Sequence, residues 1–305
     1  MKYWVGVTDN SWYKFLSERN FDEVNFWSPS GTPPFTNLEA GTPFLFKLKR
    51  PNNHIAGLGY FVKYVKLPLT MAWEVFGEKN GAGNYDEFEQ LVRPLMGTTK
   101  IGLLEIGCSI LSSPIFFSPD LWIEAPSDWS GNIVRGKTYD TSSQIGNNLW
   151  HTVQNHISAP EQMQSQMGTF EARYGEAYLA RARLGQGTFR VLVTEAYQRK
   201  CAITGEHTLP VLEAAHIKPY SKYGPNRTSN GLLLRSDFHK LFDLGLVTVT
   251  PQFLIEVSSR IKEEWFNGKA YYRLHGQKLA TIPERQIERP SEEYLRWHNE
   301  NVYVD

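Results

Sequence analysis

The chain opens on an unbroken apolar run, YWVGV at 3–7, which predicts a buried strand. The next stretch, TDNSWYKFLSER at 8–19, predicts a capped helix, with Asp9, Asn10 or Ser11 as candidates for the N-cap. Short strand-like runs follow: VNFWS at 24–28, TPFLFKLK at 42–49, HIAGLGYFVKYVKL at 54–67 and KIGLLEIGCSIL at 100–111. Turns rich in Pro, Gly and Asn, such as SPSGTPPF and KRPNNH, separate them. Residues 69–80 and 85–95 predict helices, the first ending at the Asn-Gly of 80–81. Many short strands with few helices predict a small, strongly curved sheet or partly open barrel, with 125–136 as its last edge.

Beyond 125 the pattern thins into Ser, Gly, Asn, Gln and Pro, and 141–170 reads as a linker carrying one helix around LWHTVQNHI. The second half resumes with a helix over 189–200 whose apolar side carries Val191, Leu192, Ala196 and Tyr197. A turn (CAITG), a strand (LPVLEAAHI), a polar loop (KPYSKYGPNRTSN) and a strand (GLLL) come next. They are followed by a short helix (SDFHKLFDLG) and a hairpin (LVTVTPQFLIEV). The chain is therefore read as α+β, with domains over 1–140 and 171–305 and the linker between them; 305 residues suffice for two cores.

Charge sharpens this division. The 32 basic and 32 acidic residues cancel, yet 1–125, 126–172 and 241–305 each carry −2, while 173–240 carries +6. The basic block comprises Arg173, Arg181, Arg183, Arg190, Arg199, Lys200, Lys218, Lys222, Arg227, Arg235 and Lys240. A local excess of this kind suits a phosphate-binding surface whatever the total. Five of the nine tryptophans fall within 1–125. Two cysteines, Cys108 and Cys201, form neither a disulfide framework nor a four-thiolate zinc site. No signal-peptide layout and no bilayer-length apolar run is present, so a cytoplasmic protein without a membrane partner is expected.

The chemistry concentrates in the basic block. His216 closes a strand, Asn230 ends the loop 14 residues later, and His239 lies on the next helix with Asp243 one turn beyond. His239 and Asp243 can hold one divalent cation, His216 can deprotonate a water, and Asn230 can bond across the loop. The stretch EAAHI…SNGLLLRSDFHKLFD resembles the HNH, or ββα-metal, endonucleases over roughly 185–260, with His216, Asn230 and His239 as the signature residues. That resemblance implies phosphodiester cleavage with one divalent metal. Mg2+ is the first expectation, and Mn2+, Ni2+ or Zn2+ also suit the donors. His216 is then the general base, Asn230 orients its loop, and His239 and Asp243 ligate the ion. Members usually carry Asp or His before the base, where this chain has Ala215; Glu213 is the nearby carboxylate that could replace it. Many members also have a zinc held by paired CxxC motifs, of which Cys201 alone remains, so apolar packing is expected in its place. Arg235, Lys240 and Lys218 are candidate phosphate contacts.

The N-terminal YWVGVTDNSWYKFL, NFWSPSG and LEAGTPFLFKL resemble the EVE/PUA-like superfamily. An EVE-like domain ahead of HNH resembles modification-dependent restriction endonucleases. The implied partner is double-stranded DNA bearing a modified cytosine, 5-methyl or 5-hydroxymethyl, flipped into an aromatic pocket. Trp12, Trp27, Trp73, Tyr60 and Asn25 are the candidates for that pocket, and double-strand cleavage by one HNH site suggests a homodimer. Two alternatives stay open: an HNH nuclease indifferent to modification, and a non-catalytic reader with a degenerate HNH module.

Overall fold

The computed structural model describes residues 1–96, 104–158 and 184–305, which divide into two compact units, Met1–Leu184 and Gly185–Asp305. The start of the strand expected over 100–111, residues 159–170 of the expected linker, and Arg173, Arg181 and Arg183 lie outside the described residues.

Seven strands of the first unit form one mixed sheet: β1 (Lys2–Thr8), β2 (Glu23–Ser28), β3 (Pro43–Leu48), β4 (His54–Pro68), β5 (Glu105–Phe116), β6 (Ile123–Glu124) and β7 (Gly136–Asp140). Their order is β2-β5-β4-β3-β1-β7, with β6 paired to β4. β1 and β3 run parallel and the remaining pairs antiparallel. Side chains alternate across a strand, so each strand feeds two cores. Tyr3, Val5, Leu45 and Ile55 pack on one face with Leu149, Trp150, Val153 and Ile157 of helix α4 (Gln144–Ser158). Trp4, Phe44, Phe46 and Ala56 pack on the other with Trp12, Tyr13 and Leu16 of helix α1 (Asn10–Ser17). Coverage of both faces explains why 3–7 is apolar without alternation.

Two expectations change here. The helix foreseen within a linker is α4, and its apolar stripe closes one face of the sheet, so it belongs to the first unit's core. The foreseen barrel is a mixed sheet whose order ends at β2 and β7, which do not pair among the described residues. Register shifts in the β3–β4 and β4–β5 pairings supply local bends of the kind expected of a curved sheet. The expected helices near 69–80 and 85–95 are α2 (Leu69–Phe76) and α3 (Tyr85–Val92), each extended by a 3-10 turn. Gly81, at φ 85°, ends the first of these turns in the left-handed region.

The second unit begins with α5 (Gln186–Ala196). An antiparallel hairpin of β8 (Leu212–His216) and β9 (Gly231–Arg235) follows, and β9 leads directly into α6 (Ser236–Asp243). A second hairpin, β10 (Val247–Val249) with β11 (Ile255–Val257), and the helices α7 (Arg260–Trp265), α8 (Lys269–Tyr272) and α9 (Glu292–Asn301) complete it. Of the expected apolar side, Tyr197 joins this core and Ala196 packs against it, together with Phe189 and Val193, while Val191 and Leu192 are buried outside that cluster. Cys201 is fully buried, and its Sγ accepts the backbone N–H groups of Thr204 at 3.5 Å and Arg235 at 3.3 Å. Among the described residues no helix is long and apolar enough to cross a membrane.

Candidate functional site

His216 is the last residue of β8 and faces Gly231 across the ladder. A Cβ on Gly231 would stand 2.4 Å from Val193 Cγ2 and 3.1 Å from the Phe189 ring, so glycine lets α5 approach the hairpin. That approach stacks Phe189 on His216, with centroids 3.8 Å apart and planes 13° apart. His216 Nε2 lies 2.8 Å from Asn226 Oδ1. Burial lowers the His216 pKa below the ordinary imidazole value; the Asn226 bond opposes that, the nearby His239 adds to it, and Asp243 opposes it. The ring is neutral at neutral pH.

Asn230 is fully buried and ties the polar loop together. Its Oδ1 accepts the Lys218 N–H at 2.9 Å, while its Nδ2 donates to the carbonyls of Lys218 at 2.9 Å and Pro225 at 3.0 Å. These bonds hold the loop backbone; the loop side chain within hydrogen-bond distance of the His216 ring is Asn226, ten residues along from His216.

His239 stands on α6 between two carboxylates. Its Nδ1 is 2.5 Å from Glu213 Oε2 and its Nε2 is 3.5 Å from Asp243 Oδ2. Glu213 and Asp243 are about half exposed. Among the described residues no group of three or more His, Cys, Asp or Glu is arranged to hold a metal ion. The donors here are one imidazole nitrogen and one carboxylate, a pair that suits a hydrated divalent ion completed by water and phosphate oxygens. Ala215 is buried in the core, so that strand position offers no ligand.

The expected phosphate contacts divide. Arg235 grips Asp237 with both ends of its guanidinium, at 2.6 and 2.7 Å, so its fork is engaged within the protein. Lys240 is exposed, and Lys218 is half-buried with its Nζ 5.6 Å from the centroid of the Trp297 ring. Sequence patterning passed over Asn226, whose one signal is its place in the loop that ends at Asn230.

The first unit holds a cavity of about 300 Å³ whose walls include Trp12, Phe26 and Trp27, with Asp9, Lys49 and Arg135 as its charged groups. Trp12 is buried with its Nε1 donating to Asn25 O at 3.2 Å, and Trp27 Nε1 donates to Asn80 O at 2.9 Å. The remaining expected pocket residues lie elsewhere. Trp73 packs near Phe88, Tyr60 packs against the α4-side core, and buried Asn25 donates to Asn80 Oδ1 at 2.8 Å and Cys108 Sγ at 3.3 Å. Burial raises the Asp9 carboxyl, but bonds from Ser11 and Lys49 and the Lys49 charge outweigh it, bringing the pKa down to about 2.

Residues 201–250 match the HNH endonuclease family. None of the curated proteins is matched. Among solved structures, the modification-dependent TagI restriction endonuclease overlaps 99% of this chain and 83% of its own, at 14% identity and a TM-score of 0.30. The ASCH protein of Zymomonas mobilis overlaps 48% of this chain and 94% of its own, at 12% identity and a TM-score of 0.32. Overlaps this loose establish neither fold nor function for the whole chain.

Proposed function

From an HNH endonuclease domain at 201–250 as premise, we propose that the chain is a metal-dependent DNA endonuclease whose first unit reads a modified cytosine. The observation that carries the reading is the loop-and-helix arrangement: a neutral His216 at a strand end, a loop knotted by Asn230, and His239 braced on the following helix. Burial keeps His216 unprotonated and able to take a proton from a water aimed at phosphorus. Glu213 fixes the orientation of His239 through Nδ1, as outer carboxylates do for ligating imidazoles. His239 Nε2 and Asp243 would hold the divalent ion, which supplies charge stabilisation near the leaving oxygen when bound. Lys218 and Lys240 contact phosphates, and Arg235, bonded to Asp237 through Nε and Nη2, has further N–H groups to offer one.

For the reader, the support is a cavity at the small end of ligand sites, walled by indole and phenyl rings. Trp12, Phe26 and Trp27 offer stacking faces to a flipped base. The ionised Asp9 only accepts hydrogen bonds, which suits the exocyclic amine of cytosine. The test is cleavage of plasmids bearing cytosine, 5-methylcytosine or 5-hydroxymethylcytosine, with Mg2+ or Mn2+. Faster cutting of modified plasmid supports the reading. Equal cutting of all three leaves an unselective nuclease, and no cutting of any leaves a reader with an inert HNH module.

A further inference from the structure

We infer that Asn226 is a positioning residue that selects the tautomer of His216, keeping the hydrogen on Nε2 and leaving Nδ1 as the proton acceptor. The inference rests on the reading of His216 as the base. An amide oxygen only accepts, so a ring nitrogen 2.8 Å from Asn226 Oδ1 must carry the hydrogen. Phe189 fixes the plane of the ring, and stacking alone leaves the ring free to flip by a half-turn about Cβ–Cγ, which moves both nitrogens. The Asn226 bond removes this last freedom.

Nδ1 has no hydrogen-bond partner among the described residues. The carbonyl of Pro225, immediately before Asn226, accepts the Asn230 amide at 3.0 Å, so Asn230 acts on the base by holding the residue that holds it. In the reaction the water gives its proton to Nδ1, and the O–H pair becomes the new P–O bond. The old P–O bond breaks with its pair on the leaving oxygen, which takes a proton from solvent. The ring passes to the imidazolium and back with Nε2–H still on Asn226.

His298 provides an internal standard. It stacks on Phe242 at 3.7 Å and 14°, donates from Nε2 to Phe242 O at 3.1 Å, and accepts the Thr248 hydroxyl on Nδ1 at 2.8 Å. It therefore carries the same tautomer, with both nitrogens occupied.

The experiment is a two-bond 1H–15N spectrum of the imidazoles in the metal-free full chain, recorded above the imidazole titration range, alongside DNA cleavage rates. The wild-type His216 is expected to give the Nε2–H pattern of His298. Asn226→Asp keeps an accepting oxygen and should retain the pattern. Asn226→Leu removes the oxygen at similar volume and should mix the tautomers, lowering kcat about 10- to 100-fold at little change in KM. The unchanged His298 pattern certifies the fold of each variant. An Nδ1–H pattern in the wild type overturns the inference, and this holds even if every variant unfolds. Asn226→Leu with wild-type pattern and rate overturns it as well. A wild type with the expected pattern that cuts no DNA leaves the tautomer standing and removes the nuclease reading.

Discussion

Two regions of the second unit use one packing device to opposite ends. His216 and His298 each lie flat on a phenylalanine ring, at 3.8 and 3.7 Å, and burial lowers the pKa of both. Around His298 the bonds close: the Phe242 carbonyl and the Thr248 hydroxyl take both nitrogens. Around His216 only Nε2 is taken among the described residues. Stacking and burial therefore favour the neutral imidazole in either place, and the two differ in how many ring nitrogens are occupied among the described residues.

The sharpest way to break this comparison is to remove each ring. His216→Ala should lower the cleavage rate about 10²- to 10⁴-fold, as loss of a general base does, with little change in urea stability. His298→Ala should do the reverse, costing about 2–4 kcal/mol through the cavity and the unpaired Thr248 and Phe242 groups, measured by urea denaturation. Equal stability losses would erase the distinction between them.

The pH dependences come next in size. His298, fully folded and neutral, has its pKa pushed down to about 4 against 6.5 for the ordinary imidazole. The unfolded chain binds its proton first as pH falls, so stability is fully present above about 6.5 and is lost down through about 4. Denaturation midpoints of the second unit should fall across that window, and His298→Gln should flatten the slope. The same sign applies to His216, whose unprotonated form is the active one on the proposal that it is the general base. The acid limb of cleavage should therefore lie below the ordinary imidazole value.

A smaller effect sharpens the packing side. Gly231→Ala puts a methyl 2.4 Å from Val193 Cγ2, which should cost about 1–3 kcal/mol and push Phe189 off His216. The tell-tale is a changed His216 ring shift beside an unchanged His298. An effect of similar size concerns the first unit. Trp27→Ala should cost modified DNA about 1–3 kcal/mol of binding, whereas Trp73→Ala, outside the cavity, should leave discrimination intact.

The HNH side of this architecture was legible because its parts are local. Glu213, His216, Asn230, His239 and Asp243 fall within one hairpin and the helix after it, so spacing alone places them together. Asn226 was not legible: a loop asparagine reaches the ring only through the path its loop takes back toward β9. The cavity was half legible. Trp12 and Trp27 were named as candidate stacking walls, but the pocket collects residues from Val7 to Arg135, joined by a sheet whose order is not the chain order. Trp73 and Tyr60 carry the same aromatic signal and pack elsewhere, Tyr60 by the sheet face it takes on β4 and Trp73 by its place on α2 near Phe88.

The buried thiol of Cys201 has one more consequence. Its sulfur takes two main-chain hydrogens, from Thr204 and from the first residue leading into the helix of His239. Here a sulfur, and no metal ion, ties the turn after Cys201 to the start of the helix that carries His239 and Asp243. Treatment with EDTA should abolish cutting while the melting temperature stays within a degree or two, and returning the ion should restore activity at the speed of binding rather than of refolding.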